Sequence, residues 1–265
     1  MAKIIRKGHQ LEETYYAIKK EQADKRAKNK RVFGKTTFIV ILIYVISIIV
    51  SIVVDLFSKV FLPLNVCFGF ALLMAKVVCL EDDVPEYIDT DILVSGIRGE
   101  RSAAKVLAAL PDSYTVFQNV MVTYDNKKSE IDNIVVGKSG VFIIEIKNHN
   151  SHIVGDLQDR YWTQHKVGRG GTPYTSRMYN PVKQVGTHIY CLANYLRQNG
   201  VNTYIEGMVY FVNKTCLLSL TGNNDISVYS SSNRDEARLC RRILSGNHKL
   251  DLRSVKHICR LINRL

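Results

Sequence analysis

The 265-residue sequence lacks several motifs that would assign it to a common class of protein. Its six cysteines are widely scattered and form no C-x-x-C pair, which excludes a small secreted fold stapled by disulfides and favours reduced thiols in a cytosolic compartment. The sequence has no G-x-x-x-x-G-K-[ST] loop, so an ATP-driven motor is unsupported. His149 and His152 have no cysteines beside them at zinc spacing, so a zinc site is also discounted.

The charge balance is strongly basic, and most of the excess lies at the N-terminus. The chain has 36 Lys and Arg against 24 Asp and Glu, a formal net charge of +12. Such an excess suggests an anionic partner, either nucleic acid or a phospholipid surface. Residues 1–36 hold 11 of the basic and 4 of the acidic side chains. The rest of the chain is only mildly basic, so charge alone does not identify the partner.

Two apolar stretches follow this basic segment. Residues 38–54 form an almost uninterrupted apolar run, and residues 60–80 form a weaker one that contains Pro63 and Lys76. A helix over the first run reaches ~26 Å, close to the ~30 Å of a bilayer core. We therefore predict a transmembrane helical hairpin over residues 37–80. No small-residue cleavage site follows, which disfavours a signal peptide.

The predicted topology follows from the lysines and arginines that precede the first span. They place the N-terminus in the cytoplasm, and a complete hairpin returns the C-terminal domain to the same face. A second stretch that is only re-entrant would place this domain outside. Residues 1–36 include Leu11, Tyr15 and Ile18 at helical spacing, and we predict a short amphipathic helix whose basic residues attract membrane lipids. The sequence does not identify a protein partner.

An acidic linker at residues 81–95 precedes a domain that we assign to residues 96–265. Alternation of helical and strand patterns predicts an α/β sandwich with a mixed central sheet. The glycine-rich residues 168–179 are predicted to form a mobile loop. We predict helices over residues 95–110, 181–198, 233–244 and 252–265, and strands over residues 114–122, 130–136, 141–147, 152–157, 161–165, 204–212 and 226–229.

Two carboxylates and a lysine lie on the two strands of one predicted hairpin, which can bring them close together. Asp132 lies on the first strand, and Glu145 and Lys147 lie at the end of the second. The turn at residues 137–140 is equidistant from Asp132 and Glu145, so antiparallel pairing places the two carboxylates close enough to hold one cation. Lys147 shares a face with Glu145 and can orient a water or stabilise charge on a phosphate. A surface ion pair is the plainer explanation of Glu145 and Lys147 alone.

These residues resemble those of the PD-(D/E)xK nuclease superfamily, in which an acid on one strand is followed by Glu-x-Lys on the next. The match is narrower to the nuclease-related domain (NERD), and it covers about residues 96–212. The motifs that carry it are Gly99-Glu100, Glu130-Ile131-Asp132-Asn133-Ile134-Val135-Val136-Gly137, Gly140-Val141-Phe142, Glu145-Ile146-Lys147-Asn148 and Asn180-Pro181-x-x-Gln184.

The resemblance implies a Mg2+-dependent or Mn2+-dependent nuclease that acts on DNA. Asp132 and Glu145 match its metal ligands, and Glu100 matches an acid that binds the metal directly or through water. Lys147 matches the catalytic lysine, and Gln184 matches a polar residue on a later helix. One helical turn beyond Gln184, where related enzymes often have tyrosine, this chain has His188.

Other residues near this constellation have two explanations each. Trp162 and Tyr161 can stack on a base, although a lone tryptophan after a turn more often packs in the core, which we favour. Four basic residues in and near the glycine-rich segment either follow a phosphate backbone or belong to a solvated loop: Lys166, Arg169, Arg177 and Lys183.

Three hypotheses for function follow from the sequence. The leading one is a membrane-anchored, divalent-metal-dependent nuclease that hydrolyses phosphodiester bonds of DNA at the cytoplasmic face. The alternative is a non-catalytic module that binds nucleic acid or a partner through the same fold, since a complete set of site residues does not establish turnover. The third is a structural membrane protein in which the domain serves only for interaction.

Overall fold

The computed structural model describes residues 1–8, 10–55, 90–168 and 170–265. These residues divide into two compact units, one of Met1–Glu13 with Asp91–Leu265 and the other of Thr14–Thr90. The described elements are, in chain order, β1 (Lys3–Arg6), α1 (Gln10–Asp55), α2 (Asp91–Leu107), β2 (Thr115–Tyr124), β3 (Lys127–Gly137), β4 (Gly140–Lys147), β5 (His152–Asp156), β6 (Tyr161–Val167), β7 (Pro173–Tyr179), α3 (Pro181–Gln198), β8 (Ile205–Phe211), β9 (Leu217–Thr221), β10 (Ser227–Ser230), a 3-10 turn (Ser231–Asn233), α4 (Glu236–Leu244) and α5 (Leu252–Ile262).

The long helix α1 joins the basic tract and the first apolar run without a break. Within the described ranges, no helix offers an apolar stretch of the length needed to cross a bilayer. The predicted transmembrane hairpin over residues 37–80, and the membrane localisation that rested on it, are therefore not supported. The second apolar stretch, residues 60–80, lies outside the described residues, as does most of the predicted linker.

A mixed sheet forms the centre of the unit that contains Asp91–Leu265. Among the described strands its order is β1-β2-β3-β4-β8-β10. Strands β2, β3 and β4 are antiparallel neighbours, whereas β4, β8 and β10 run parallel, as do β1 and β2. The predicted mixed α/β fold is confirmed.

Helices cover both faces of this sheet. One apolar cluster joins α3 and α5 to the sheet through residues such as Val185, Leu192 and Ile258. A second cluster joins α2 and α4 to the opposite face through residues such as Leu107 and Ile243. Covering both faces explains why the central strand β4 is buried along almost its whole length and reads as a continuous apolar run rather than an alternating one.

A smaller sheet, in the order β7-β6-β5-β9 among the described strands, packs beside the first cluster. Trp162 of β6 is 1% exposed, its ring is stacked 6.5 Å from that of Phe211, and its Nε1 donates to the carbonyl of Asp156 at 2.7 Å. The preference for a core role of Trp162 over base stacking is confirmed.

Several predicted boundaries need correction. Helix α2 begins at Asp91, so Gly96 lies inside the helix rather than at its start. Residues 173–179 of the predicted loop form β7, because β6 supplies an antiparallel partner for their backbone. Strand β9 was not predicted, and its backbone pairs in parallel with β5, a partner distant along the chain. Strand β1 was also missed, and it assigns part of the basic N-terminal segment to the same unit as residues 91–265.

We expect Gly155→Ala to destabilise the protein by about 1–3 kcal/mol, because core sites tolerate added volume poorly. A Cβ at Gly155 would lie 2.2 Å from Cδ1 of the buried Trp162. Gly186→Ala is the matched control, since a Cβ there meets nothing within 4 Å inside helix α3, and roughly 0.5–1 kcal/mol of stabilisation is expected. Urea unfolding of the full-length chain measures both. Equal midpoints for the two variants would contradict the packing described for Trp162.

Candidate active site

The register of β3 and β4 places Asp132 and Glu145 at facing positions. The paired residues run from Gly137 opposite Gly140 to Asn133 opposite Ile144, and Asp132 and Glu145 occupy the next position on each strand. At this position the backbone pairing of the two strands has ended. The Ile146 amide donates instead to the side chain of Asp132, with 2.7 Å between the nitrogen and Oδ2. The register predicted from the turn is confirmed.

Lys147 connects the end of β4 to helix α3. Its Nζ donates to Glu145 Oε1 at 2.6 Å and to Gln184 Oε1 at 3.0 Å. Glu145 is buried, with 2% of its side chain exposed, whereas the Lys147 side chain is 20% exposed. The amine thus bonds a buried carboxylate, while part of the lysine side chain is exposed.

Helix α3 is positioned by its N-terminal cap. Asn180 Oδ1 accepts from the Val182 amide at 2.8 Å, and Pro181 occupies the first helical position, where its missing N–H leaves no intrahelical bond unmade. Gln184 and His188 lie one turn apart on the side that faces β4. The start and end predicted for this helix, residues 181 and 198, are confirmed.

His188 forms a second connection to Glu145. Its Nε2 lies 3.2 Å from Glu145 Oε2, and its Nδ1 lies 2.5 Å from the hydroxyl of Ser129. An ionised carboxylate only accepts hydrogen bonds, so Nε2 carries the proton, and in the neutral ring Nδ1 accepts from Ser129. Both His188 and Ser129 are buried. The sequence offered no signal for Ser129, which is distant from His188 along the chain.

Glu100 reaches the site from helix α2. The helix approaches the end of β4 closely at Gly99, where a Cβ would lie 2.9 Å from Asn148 Cβ. Glu100 Oε2 accepts from Asn119 Nδ2 at 3.2 Å. Asn119 interrupts the β2–β3 ladder opposite Asp132 with a φ of 55°, a conformation that asparagine adopts more readily than most residues. Asn119 is a further site residue that sequence reasoning missed.

The carboxylates of the site perturb one another. Partial burial and the negative charge of Glu145 raise the pKa of Asp132 well above its ordinary value, against the opposing effect of Lys147. Burial also opposes ionisation of Glu145, but Lys147 and the hydrogen bond from His188 outweigh it and lower that pKa. Burial raises the pKa of Glu100. Such divergent shifts among neighbouring acids are typical of functional sites.

The five predicted site residues are not equally close. Direct hydrogen bonds connect Glu145, Lys147 and Gln184, and Asp132 faces Glu145 across the hairpin. Glu100 affects the pKa of Asp132 through its charge but is bonded to Asn119. Within the described ranges, no three His, Cys, Asp or Glu side chains converge as a metal-binding group.

The donor chemistry nevertheless fits a hard divalent cation. Asp132 and Glu145 present carboxylate oxygens at facing strand positions, and oxygen is the donor that Mg2+ prefers. Their mutual repulsion, expressed in the raised pKa of Asp132, is the electrostatic situation that a cation would relieve.

Comparisons with known proteins identify the region that holds this site. Residues 95–212 match the family model described as the nuclease-related domain, NERD. An uncharacterized protein of Bacillus anthracis is 36% identical over 96 residues, which are 36% of this chain and 43% of the relative. The chain thus spans less than half the length of that relative. No solved structure matches the chain.

We expect Asp132→Asn to be more stable to urea than the native protein at pH 7. The folded-state pKa of Asp132 is raised, so the folded protein loses stability as pH rises from the ordinary aspartate pKa through the folded value. The asparagine is uncharged and keeps an acceptor for the Ile146 amide. Near pH 3, below the ordinary pKa of about 4, the two proteins should unfold at similar urea concentrations. The electrostatic account would be contradicted if the variant were less stable than the native protein at both pH values and by the same amount.

We expect His188→Leu to lower the free energy of unfolding by about 1–3 kcal/mol, because it leaves the buried Glu145 carboxylate without one donor. Ser129→Ala removes only a hydrogen bond between neutral groups and should cost about 0.5–1.5 kcal/mol. The double variant should lose less than the sum, since the two bonds share His188. Urea unfolding of all four proteins measures this, and strict additivity would show that Ser129 and His188 act independently.

Proposed function

We propose that the chain, through its nuclease-related domain, is a divalent-metal-dependent nuclease that hydrolyses phosphodiester bonds of DNA. The observation that carries the proposal is the placement of Lys147, whose amine is bonded to Glu145 and Gln184 beside the facing carboxylate of Asp132. An acid pair with an adjacent lysine is the donor set that phosphodiester hydrolysis needs, namely ligands for a hard cation and a positive charge near the phosphate.

Asp132 and Glu145 would hold Mg2+ or Mn2+, with Glu100 as a direct or water-mediated ligand. A cation bound there would polarise the scissile phosphate and lower the pKa of the attacking water. The cation would bind the ionised carboxylate of Asp132. Because the pKa of this group is raised, binding should strengthen as the pH rises.

Lys147 has a separate task in this proposal. An ammonium group has three N–H donors, and two of those of Lys147 are directed at Glu145 and Gln184. Because the side chain is 20% exposed, the amine can also donate to a phosphate oxygen and stabilise the charge that develops on it. Gln184 fixes the position of the amine from helix α3.

His188 and Ser129 act on the opposite side of Glu145. Their hydrogen bonds determine which way the Glu145 carboxylate faces, since Oε2 is held by His188 while Oε1 is held by Lys147. A buried acid with both oxygens held has little rotational freedom, which favours a fixed ligand geometry.

The alternative is a module that binds nucleic acid without cutting it. One observation favours this alternative: in the part of the chain that the structure describes, no three potential ligands are gathered as a metal site, and both oxygens of Glu145 already have partners, the Lys147 amine and the His188 ring. A cation can bind Glu145 only if one of these partners releases its oxygen, so metal binding is the step that separates the two functions.

We expect Glu145→Gln to lower Mg2+-dependent cleavage by roughly 100-fold or more, because it removes a ligand charge that is needed in the transition state. Plasmid and single-stranded DNA are the substrates, and calorimetric titration with Mg2+ and Mn2+ measures binding in the same preparations of the full-length chain. The expected result is that the variant loses both cation binding and cleavage.

Glu206→Gln is the matched control for this experiment. Glu206 is also buried on a strand of the central sheet and paired with a cation, Arg242, but it lies on β8 and outside the site. Its substitution should leave cation binding and cleavage unchanged. A native protein that neither binds the metals nor cuts DNA would overturn the nuclease proposal and leave the binding module.

A further inference from the structure

A cleft opens beside the candidate active site on the side of helix α2. Its volume is about 920 Å³, and the N-terminal half of α2, the end of β4 and Lys166 of β6 form its walls. Lys147 is shared by the candidate active site and the cleft. Its side chain bonds Glu145 and Gln184 and also lines the cleft. We call it the α2 cleft, and its lining includes Ser95, Arg98, Lys147, His149, Lys166 and Asn213.

The lining of the α2 cleft is suited to an anion with hydrogen-bonding groups. Arg98, Lys147 and Lys166 supply positive charge, and Asp91, the first residue of α2, is the one acid among the described residues of the lining. Burial, and then the nearby charges of Lys147 and Lys166, lower the pKa of His149 to about 4. His149 is therefore a neutral ring at pH 7 in a region of positive potential. Asn148, Asn150 and Asn213 add amide donors and acceptors.

The helix wall of the cleft is held in place by specific contacts. Asn148 Nδ2 donates to the Ser95 carbonyl at 2.7 Å, and the Ser95 hydroxyl donates to the Asn148 carbonyl at 3.3 Å. The absent side chain of Gly99 permits this approach of helix and strand. The cleft is thus bounded by a fixed helix and a strand end, which favours a site with a defined ligand.

The dimensions of the cleft distinguish between forms of nucleic acid. A volume of about 920 Å³ falls within the ~300–1,000 Å³ of sites that enclose ligands of small-molecule size. A site of that size accommodates a few nucleotides of one strand. A duplex would present to it only phosphates and groove edges, because its bases are paired inside the helix.

We propose that the α2 cleft binds a short stretch of single-stranded DNA, with Arg98 and Lys166 contacting its phosphates, and directs one phosphate to Lys147. This inference rests on the proposed nuclease function and specifies its substrate as a single strand or an unpaired end. The neutral His149 ring and the asparagine amides face the bases and sugars without repelling the phosphates. Sequence tolerance is expected, because phosphate contacts do not depend on base identity.

The test is fluorescence anisotropy of a fluorescein-labelled oligodeoxythymidylate and of a hairpin duplex of equal length, measured with the full-length chain in EDTA so that no cleavage occurs. The native protein should bind the single strand more tightly than the duplex. Arg98→Glu and Lys166→Glu should each weaken single-strand binding by about tenfold or more and reduce its salt dependence.

Arg241→Glu and Lys249→Glu are charge-matched controls, because both residues are exposed and neither lines the cleft. They should bind the single strand nearly as the native protein does, and circular dichroism checks that all four variants are folded. Equal binding by cleft and control variants, or duplex binding as tight as single-strand binding, would overturn the proposal.

Cleavage assayed in parallel separates this proposal from the one on which it rests. Mg2+-dependent cleavage by the native protein, together with cleft variants that bind like the controls, would refute the α2 cleft and retain the nuclease. Selective loss of single-strand binding in the cleft variants, together with no cleavage under any metal, would refute the nuclease and show the cleft as the binding surface of a non-catalytic module.

Discussion

The register of the β3–β4 hairpin is the constraint on which the rest of the site depends. Side chains alternate between the faces of a sheet, so a slip of one residue would move Glu145 and Lys147 away from Asp132 and α3 together. Two glycines fix this register. Gly140 has a φ of 141°, and a Cβ at Gly137 would lie 2.2 Å from Cδ1 of the buried Tyr114. Tyr114 in turn shares a hydrogen bond of 2.8 Å with Ser139 inside the turn. These contacts hold the turn against the core. They thereby fix the relative positions of Asp132 and Glu145 at the other end of the hairpin.

The same geometry gathers negative charge where water is largely excluded, and the protein offsets it only in part. Glu145 is compensated by Lys147 and His188, which together hold both of its oxygens. Asp132 receives one backbone amide, and its pKa remains raised. Residues optimised for stability alone would not leave an acid in this state, because a neutral side chain of the same shape would remove the repulsion. The uncompensated Asp132 is the electrostatic feature that the proposed cation would offset.

Much of the site could be predicted from the sequence because it is encoded locally. The spacing of Asp132 and Glu145 about one short turn determines their meeting, and Asn180-Pro181 determines where α3 begins. Ser129 contacts His188, and Asn119 contacts Glu100. Each contact joins residues of two separate elements, so no local sequence pattern predicts it. The glycine-rich sequence before β7 is typical of a loop, and the strand forms because β6 provides an antiparallel hydrogen-bonding partner. The transmembrane hairpin was inferred from hydropathy alone, and the described helices do not support it.

The fold also shows that the matched family region is not the whole structural unit. Residues 95–212 contain β2, β3, β4 and β8, but the strands that flank them lie outside that range. Strand β1 pairs in parallel with β2, and β10 pairs in parallel with β8. Helices α4 and α5, also outside the match, contribute Leu239, Ile243 and Ile258 to the two apolar clusters. Removing these segments would expose two strand edges and one side of each cluster, and unpaired edges invite association between chains. The site residues come from the matched region, whereas the order that positions them depends on both ends of the chain.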